Sequence, residues 1–242
     1  LEEDNSVCTL TLNRPRQYNA LSAELLTELQ NALDDISQDD KIRVVIIAAN
    51  GKAFCPGHDL KEMRSSEEKS FHQALFDQCG KLMLSINQMP QPVIAQVNGI
   101  ATAAGCQLVA NCDLAVATED ARFAVSGINL GLFCSTPAVP LSRNLPRKQA
   151  MQMLLSGDFI SAETALHYGL LNEVVKADEL QQATRALADK IVAKSPLAIK
   201  LGKDMFYKQL PMDLSEAYAY AAEKMACNMD SEDAREGIDA FI

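Results

Sequence analysis

No apolar run in the sequence is long enough to cross a bilayer, and no signal-peptide pattern opens the chain. No run of five or more Lys or Arg interrupts a formal net charge of -10. Such a field repels phosphate backbones and anionic lipid, which argues against nucleic-acid and membrane-surface roles. There is no C-x-x-C pair among Cys8, Cys55, Cys79, Cys106, Cys112, Cys134 and Cys227. Neither a zinc site nor a small disulfide framework fits that odd, scattered set, so reduced thiols in a cytosolic or matrix compartment are expected. Gly and Pro are not clustered, which argues against low complexity. The chain starts at Leu1 rather than Met, so a removed targeting segment stays open.

What is present fits an ordinary globular protein. Hydrophobic residues make up 48% and charged residues 22% of 242 positions, enough to bury a sizeable core. Val7 to Leu12 alternates as a strand does, and Val44 to Ala49 is a β-branched apolar run closed by Asn50-Gly51. Between them Leu25, Leu26, Leu29, Leu33 and Ile36 recur at helical spacing behind a Ser22 cap. Helix near 71–86, strand 92–97, helix from about 104 to 111 and strand 113–117 continue the alternation. That order predicts α/β architecture with mainly parallel pairing. After about Leu145 the sequence reads as helices at 147–155, 161–167, 178–193, 197–207 and 213–228. Asp178-x-x-Gln181 and Asp213-x-x-Glu216 are expected to cap two of them. The apolar stripes of these helices can cover their own core or form a subunit interface.

Two segments share one shape: strand, small-residue turn, helix. In the first, Ala53-Phe54-Cys55-Pro56-Gly57-His58-Asp59-Leu60-Lys61-Glu62-Met63, Asp59-x-x-Glu62 reads as a capping box that sets the His58 N–H at a helix start. A purely structural cap explains the same pattern. In the second, Val97-Asn98-Gly99-Ile100-Ala101-Thr102-Ala103-Ala104-Gly105-Cys106-Gln107-Leu108, small residues open the backbone to close approach. Two helix N-termini brought together would form an oxyanion hole, in which one donor is typically worth ~2.7–4 kcal/mol to a transition state.

In these segments and beyond them, the chain resembles the crotonase (enoyl-CoA hydratase/isomerase) superfamily nearly end to end. The likeness runs through Asn13-Arg14-Pro15 with Asn19-Ala20-Leu21, Phe54 to Met63, Pro92 to Asp113, Phe123 to Gly131, Ala165 to Val175 and Glu236-Gly237 to Phe241. Gly57 to Glu62, Ala101 to Leu108 and Phe133 to Pro137 look particularly like the mitochondrial enoyl-CoA hydratase domain-containing proteins. The resemblance implies a crotonase (ClpP-like) α/β fold, with repeated ββα units forming a spiral core over 1–190 and a helical oligomerisation region over 191–242. It implies a trimer, or a hexamer made of two trimers. It implies lyase chemistry of fatty acid metabolism on an acyl-CoA thioester, with coenzyme A part of the substrate and no separate cofactor or metal. The expected location is the cytoplasm of a bacterium or otherwise the mitochondrial matrix.

By the same resemblance, the N–H groups of His58 and Ala104 form the oxyanion hole, and His58, Asp59, Leu60 and Lys61 line the coenzyme end. Arg14, Arg16 and Lys61 are candidate phosphate contacts, with a solvated cation as the plainer reading. Ala104 stands where the family usually has glycine, so the hole requires an ordinary φ there. The family's two catalytic glutamates align with Gln107 and Gly127, neither of which can act as a base. Expected chemistry is therefore atypical or weak hydration. An acyl-CoA decarboxylase using His58, whose Gly-His-Asp setting is similar to that of the family's methylmalonyl-CoA decarboxylases, and a non-catalytic coenzyme A binder are the alternatives. Cys134 is a candidate nucleophile or, more plainly, a buried packing residue. His72 and His167 lack partners at metal-ligand spacing, and Asp113 is expected to be satisfied by local hydrogen bonds.

Overall fold

A computed structural model describes residues 1–242. A hairpin of β1 (Glu2–Asp4) and β2 (Val7–Leu12) leads into α1 (Ala23–Ser37), where the Ser22 hydroxyl accepts from Leu25 N as expected. Then come β3 (Val44–Ala49), β4 (Ala53–Cys55), the single turn α2 (Leu60–Met63) and α3 (Lys69–Gln88). Next are β5 (Val93–Val97), β6 (Ile100–Thr102) and α4 (Ala104–Asn111), followed by β7 (Leu114–Thr118), β8 (Arg122–Ala124), a 3-10 turn over Ser126–Leu130 and α5 (Ser135–Asn144). The remainder is α6 (Arg147–Ser156), β9 (Ile160–Ser161), α7 (Ala162–Tyr168), β10 (Glu173–Val175), α8 (Leu180–Val192), α9 (Pro196–Gln209), α10 (Leu214–Met229) and α11 (Glu232–Phe241).

The strands sort into two sheets in a regular way. One has the order β1-β2-β3-β5-β7-β10 and the other β4-β6-β8-β9. Each of the pairs β3/β4, β5/β6 and β7/β8 sends its first strand to the larger sheet and its second to the smaller, and a helix follows each pair. Three consecutive ββα units thus form the spiral. Pairing from β2 to β3, β5, β7 and β10 is parallel throughout. A parallel sheet covered on both faces favours continuous apolar strands over alternating ones. β3 behaves so: Val45 and Ile47 face the main core, whereas Val44, Ile46 and Ala48 meet Leu180 and Ala188 of α8 on the opposite face.

Several expectations need correction. The segments read as small-residue turns contain short strands, β4 and β6, and α5 was not anticipated from the sequence. Asp178 does not cap α8. Glu179 holds the cap position without a side-chain bond, and a local turn forms in which Glu179 N donates to Lys176 O. Asp213 does cap α10, accepting from Glu216 N. Asp113 is satisfied through residues far along the chain: Lys203 Nζ at 2.6 Å, Tyr207 Oη at 2.7 Å and Val93 N at 2.7 Å all donate to it. Lys203 also donates to Ile86 O and Gln91 O, each at 2.8 Å, so its three protons are used and α9 is fastened to the core.

Candidate active site

The smaller sheet sets the site by register. β4 pairs with β6 and β6 with β8, all parallel, so Cys55, Ala101 and Phe123 lie side by side. His58 lies three residues beyond Cys55, Ala104 three beyond Ala101 and Ser126 three beyond Phe123. Adjacent strands are about 4.8 Å apart, so the loops leaving them emerge as neighbours. Contact is direct. A Cβ placed on Gly57 would stand 3.1 Å from Ala104 N and 2.9 Å from the Ala103 Cβ, and Gly57 adopts φ +101. Gly105 serves the same closeness, since a side chain there would collide with the Cys55 carbonyl. The small residues of this segment admit another strand's backbone.

The His58 segment is held from outside by the turn before α1. Leu21 N donates to Gly57 O at 2.8 Å and Asp59 N donates to Leu21 O at 3.0 Å. These bonds use the carbonyl before His58 and the amide after it, leaving the His58 N–H turned away from Leu21. Asn19, fully buried, anchors the turn: its Nδ2 donates to Asn50 O and Ala53 O, both at 2.9 Å, and its Oδ1 accepts from Arg14 N at 2.9 Å. Arg14 donates to Ala20 O and pairs with Asp59 at 3.4 Å, so this candidate phosphate contact is engaged in holding the loop. Arg16 and Lys61 are exposed, as is Leu60. The Asp59 carboxylate caps α2 as expected, but Glu62 does not return to Asp59 N. It accepts from Ala23 N at 2.9 Å and caps α1 instead.

Ala104 is the first residue of α4 and is buried. Its N–H lies beyond the helix's own bonding ladder, and its φ is ordinary, as the oxyanion-hole expectation required. The unusual backbone belongs to Ala103, at φ 49 and ψ -121. Gln107 sits one turn further along α4 and is 3% exposed, and its Oε1 has no hydrogen-bond partner. The His58 ring packs edge-on to Phe76 with centroids 5.4 Å apart, and both ring nitrogens are buried without partners. Burial holds its pKa below the ordinary histidine value, against a weaker opposite pull from the Leu21 carbonyl.

Gly127 lies in the 3-10 turn after β8. An added Cβ would meet Leu132 O at 2.6 Å and Cys134 Sγ at 2.8 Å, so the direction a side chain would take is already filled. Cys134 is 8% exposed, and burial pushes its thiol pKa up, in part offset by the Gly127 backbone. That is the direction for a packing residue, opposite to an activated nucleophile. Cys106 and Cys112 are also core, with thiols raised to about 12 in the first case and further in the second by burial. Beside Gly127, Ser126 Oγ and Thr102 Oγ1 share a hydrogen bond of 2.8 Å. Sequence reading passed over this hydroxyl pair and over Leu21, because neither carries a local pattern. His72 bonds Met63 O at 2.9 Å, and no group of three or more His, Cys, Asp or Glu side chains gathers around a common point.

Strand register thus sets the His58 and Ala104 segments side by side, ahead of the buried Gln107 on α4. A family model described as enoyl-CoA hydratase/isomerase fits residues 2–242. The chain belongs to that family. An enoyl-CoA hydratase structure from Mycobacterium smegmatis is 54% identical with a TM-score of 0.97, and the match covers 99% of this chain and 93% of that one. Enoyl-CoA hydratase domain-containing protein 3, mitochondrial, from Rattus norvegicus is 45% identical over 99% of this chain and 80% of its own length. The short-chain-enoyl-CoA hydratase of Clostridium acetobutylicum is 33% identical over 100% of this chain and 93% of its own length. The enoyl-CoA hydratase/isomerase assignment and the crotonase fold expected from the sequence therefore both stand.

Proposed function

We propose that the protein binds an acyl-CoA thioester with its carbonyl oxygen between the N–H groups of His58 and Ala104, and stabilises the enolate that forms there. The observation that carries this reading is the closeness of Gly57 to the start of α4, where an added Cβ would stand 3.1 Å from Ala104 N, so that the two amide-bearing segments lie side by side. Preorganised donors of this kind act where charge develops. Hydration itself is weak, because Gln107 and Gly127 offer no carboxylate to activate water or return a proton.

Incubation with crotonyl-CoA and with methylmalonyl-CoA, following binding and turnover separately, tests the reading. Slow hydration of crotonyl-CoA that rises in Gln107→Glu supports it. Turnover of methylmalonyl-CoA alone would transfer the same enolate site to decarboxylation through His58. Tight binding of both without turnover would leave a coenzyme A-binding protein, and no binding of either would refute the reading.

The exposed apolar side chains of the C-terminal helices, Leu214, Tyr218 and Met225 of α10 and Phe241 of α11, support a homotrimer or a dimer of trimers built on residues 191–242. Light scattering on the full chain checks this. No helix is long and apolar enough to cross a membrane. The rat relative's name supports a mitochondrial matrix location, or the cytoplasm where the source is bacterial.

A further inference from the structure

β4 is the outer strand of the smaller sheet, and β6 pairs with it along one edge only. The turn before α1 covers the other edge. Three backbone groups of this segment face that turn: Ala53 O accepts from Asn19 Nδ2 at 2.9 Å, Gly57 O accepts from Leu21 N at 2.8 Å, and Asp59 N donates to Leu21 O at 3.0 Å. The last two bonds make a parallel bridge between Leu21 and His58. In a bridged, extended segment successive residues present their N–H and C=O groups to opposite edges. With Gly57 and Asp59 committed to the turn, the His58 N–H points to the other edge, where β6 runs and α4 begins at Ala104.

Asn19 is the residue from which this edge is set. It is fully buried at φ 65, a left-handed conformation that Asn tolerates better than most residues with a Cβ. Its carboxamide reaches three places: Nδ2 donates to Asn50 O and Ala53 O, and Oδ1 accepts from Arg14 N, all at 2.9 Å. Arg14 extends the link, donating to Ala20 O at 2.6 Å and pairing with Asp59 at 3.4 Å. One side chain thus joins the end of β3, the first residue of β4 and the turn that grips Gly57 and Asp59. The segment carrying His58 is held at both of its ends. α2 offers no comparable support, being a single turn without a buried residue. Hydrogen bonds weaken steeply as the donor swings out of line, so this tether decides how much the His58 amide contributes.

We propose that Asn19 is a positioning residue: through the Leu21 bridge it aims the His58 N–H at the thioester oxygen, while its own burial keeps it from touching substrate. The proposal rests on the acyl-CoA reading above and names what holds one of the two donors in line.

The test uses the full chain and acetoacetyl-CoA, whose enolate absorbs in the near ultraviolet where the keto form does not. The pH at which the bound thioester ionises reports stabilisation of the oxyanion, and calorimetry with butyryl-CoA reports ground-state binding. In the wild type the bound ligand should ionise at lower pH than the free one. Asn19→Gly suits the left-handed backbone but removes the carboxamide. Its bound ligand should ionise about one pH unit higher than in the wild type, a tenfold loss and a fraction of the roughly 10²–10³-fold worth of one donor. Butyryl-CoA affinity should change by less than about threefold. Arg14→Met keeps Asn19 and removes the links to Ala20 and Asp59, so it should shift ionisation the same way by less, and it decides the matter if Asn19→Gly does not fold. Unchanged ionisation in the folded variants would overturn the proposal, since the turn would then serve packing alone. So would equal weakening of both ligands, which marks a collapsed pocket rather than a misaimed donor. A wild type that binds acetoacetyl-CoA without lowering its ionisation pH would instead refute the oxyanion reading, and no binding of either thioester would refute the acyl-CoA reading.

Discussion

Restoring a side chain at Gly127 should unfold the turn that carries it before it restores any chemistry. The smallest probe is Gly127→Ala. Its Cβ would lie 2.6 Å from Leu132 O and 2.8 Å from Cys134 Sγ. The thiol can rotate, but the carbonyl belongs to the backbone, and the same turn is closed by Leu132 N donating to Gly127 O at 2.9 Å and Gly131 N donating to Ile128 O at 3.0 Å. Relieving the overlap means opening that turn. Overpacking of this kind costs ~1–3 kcal/mol, and a strained or lost backbone hydrogen bond adds ~1 kcal/mol. A total of about 2–4 kcal/mol corresponds to a fall in Tm of about 4–16 °C for a chain of this size. Scanning calorimetry of wild type, Gly127→Ala and Gly127→Ala/Cys134→Ala checks it. The double variant should recover only part of the loss, since the Leu132 carbonyl remains. An unchanged Tm in Gly127→Ala would refute the reasoning, and would return Gly127→Glu to use as a simple restoration of the family's second glutamate.

Three further outcomes are expected. Ala103→Gly should raise stability by about 1 kcal/mol in urea unfolding, because φ 49 with ψ -121 is unfavourable for any residue with a Cβ. Lys203→Met should cost about 3–5 kcal/mol, because the Asp113 carboxylate, 14% exposed at the side chain, would be left without its cation; a Lys203→Met/Asp113→Asn variant should lose less. For His58 the folded pKa is depressed by burial, so the unfolded state takes the proton first and stability declines as pH falls through and below the ordinary histidine value. Urea midpoints between pH 7.5 and 5 should therefore fall faster in wild type than in His58→Leu, with a limiting slope of about 1.4 kcal/mol per pH unit.

Much of the architecture is legible in the residues, and the boundary of legibility has a physical cause. Val44–Ala49 and the helices of the first half announce themselves because burial on both faces, or on one stripe, leaves a pattern longer than one turn. The second strands of the ββα units do not. β4, β6 and β8 have three residues each, too short for any period, and they exist because the neighbouring strands offer them partners. Caps fail for a related reason. Glu62 and Asp178 sit at the right spacing for capping boxes, but Ala23 N competes for one carboxylate and the Lys176–Glu179 turn displaces the other. At the site, sequence identifies which residues could matter, including Gln107 and Gly127, which the resemblance aligns with the family's glutamates. It carries no record of the room around them. That Gly127 faces a backbone oxygen, and that the His58 ring nitrogens are buried against Phe76, are consequences of strand register and of α3 packing against the loop.

Under the proposed enolate reading, the balance of groups at the site also limits what the protein can achieve. Each positioned general acid or base is worth roughly 10²–10⁴-fold, so two absent carboxylates remove roughly 10⁴–10⁸-fold from a reaction that needs proton transfer. Each oxyanion donor is worth roughly 10²–10³-fold and does not depend on them. Of the remaining polar groups, the Thr102 and Ser126 hydroxyls satisfy one another and have no useful basicity, and the buried cysteines have thiols held in the protonated form. His58 carries the one imidazole beside these groups, and burial lowers its pKa and so disfavours the protonated form. A reaction that creates its own enolate, or that only needs a polarised carbonyl, retains most of its catalysis in such a site, whereas water addition loses most of it. The sharpest expression of this argument is Gln107→Glu, which returns one carboxylate without steric conflict at Gly127. It should raise crotonyl-CoA hydration by about 10²-fold or more, the lower worth of one acid/base group, while lowering the Tm, since a carboxylate at this 3% exposed position gains no cation.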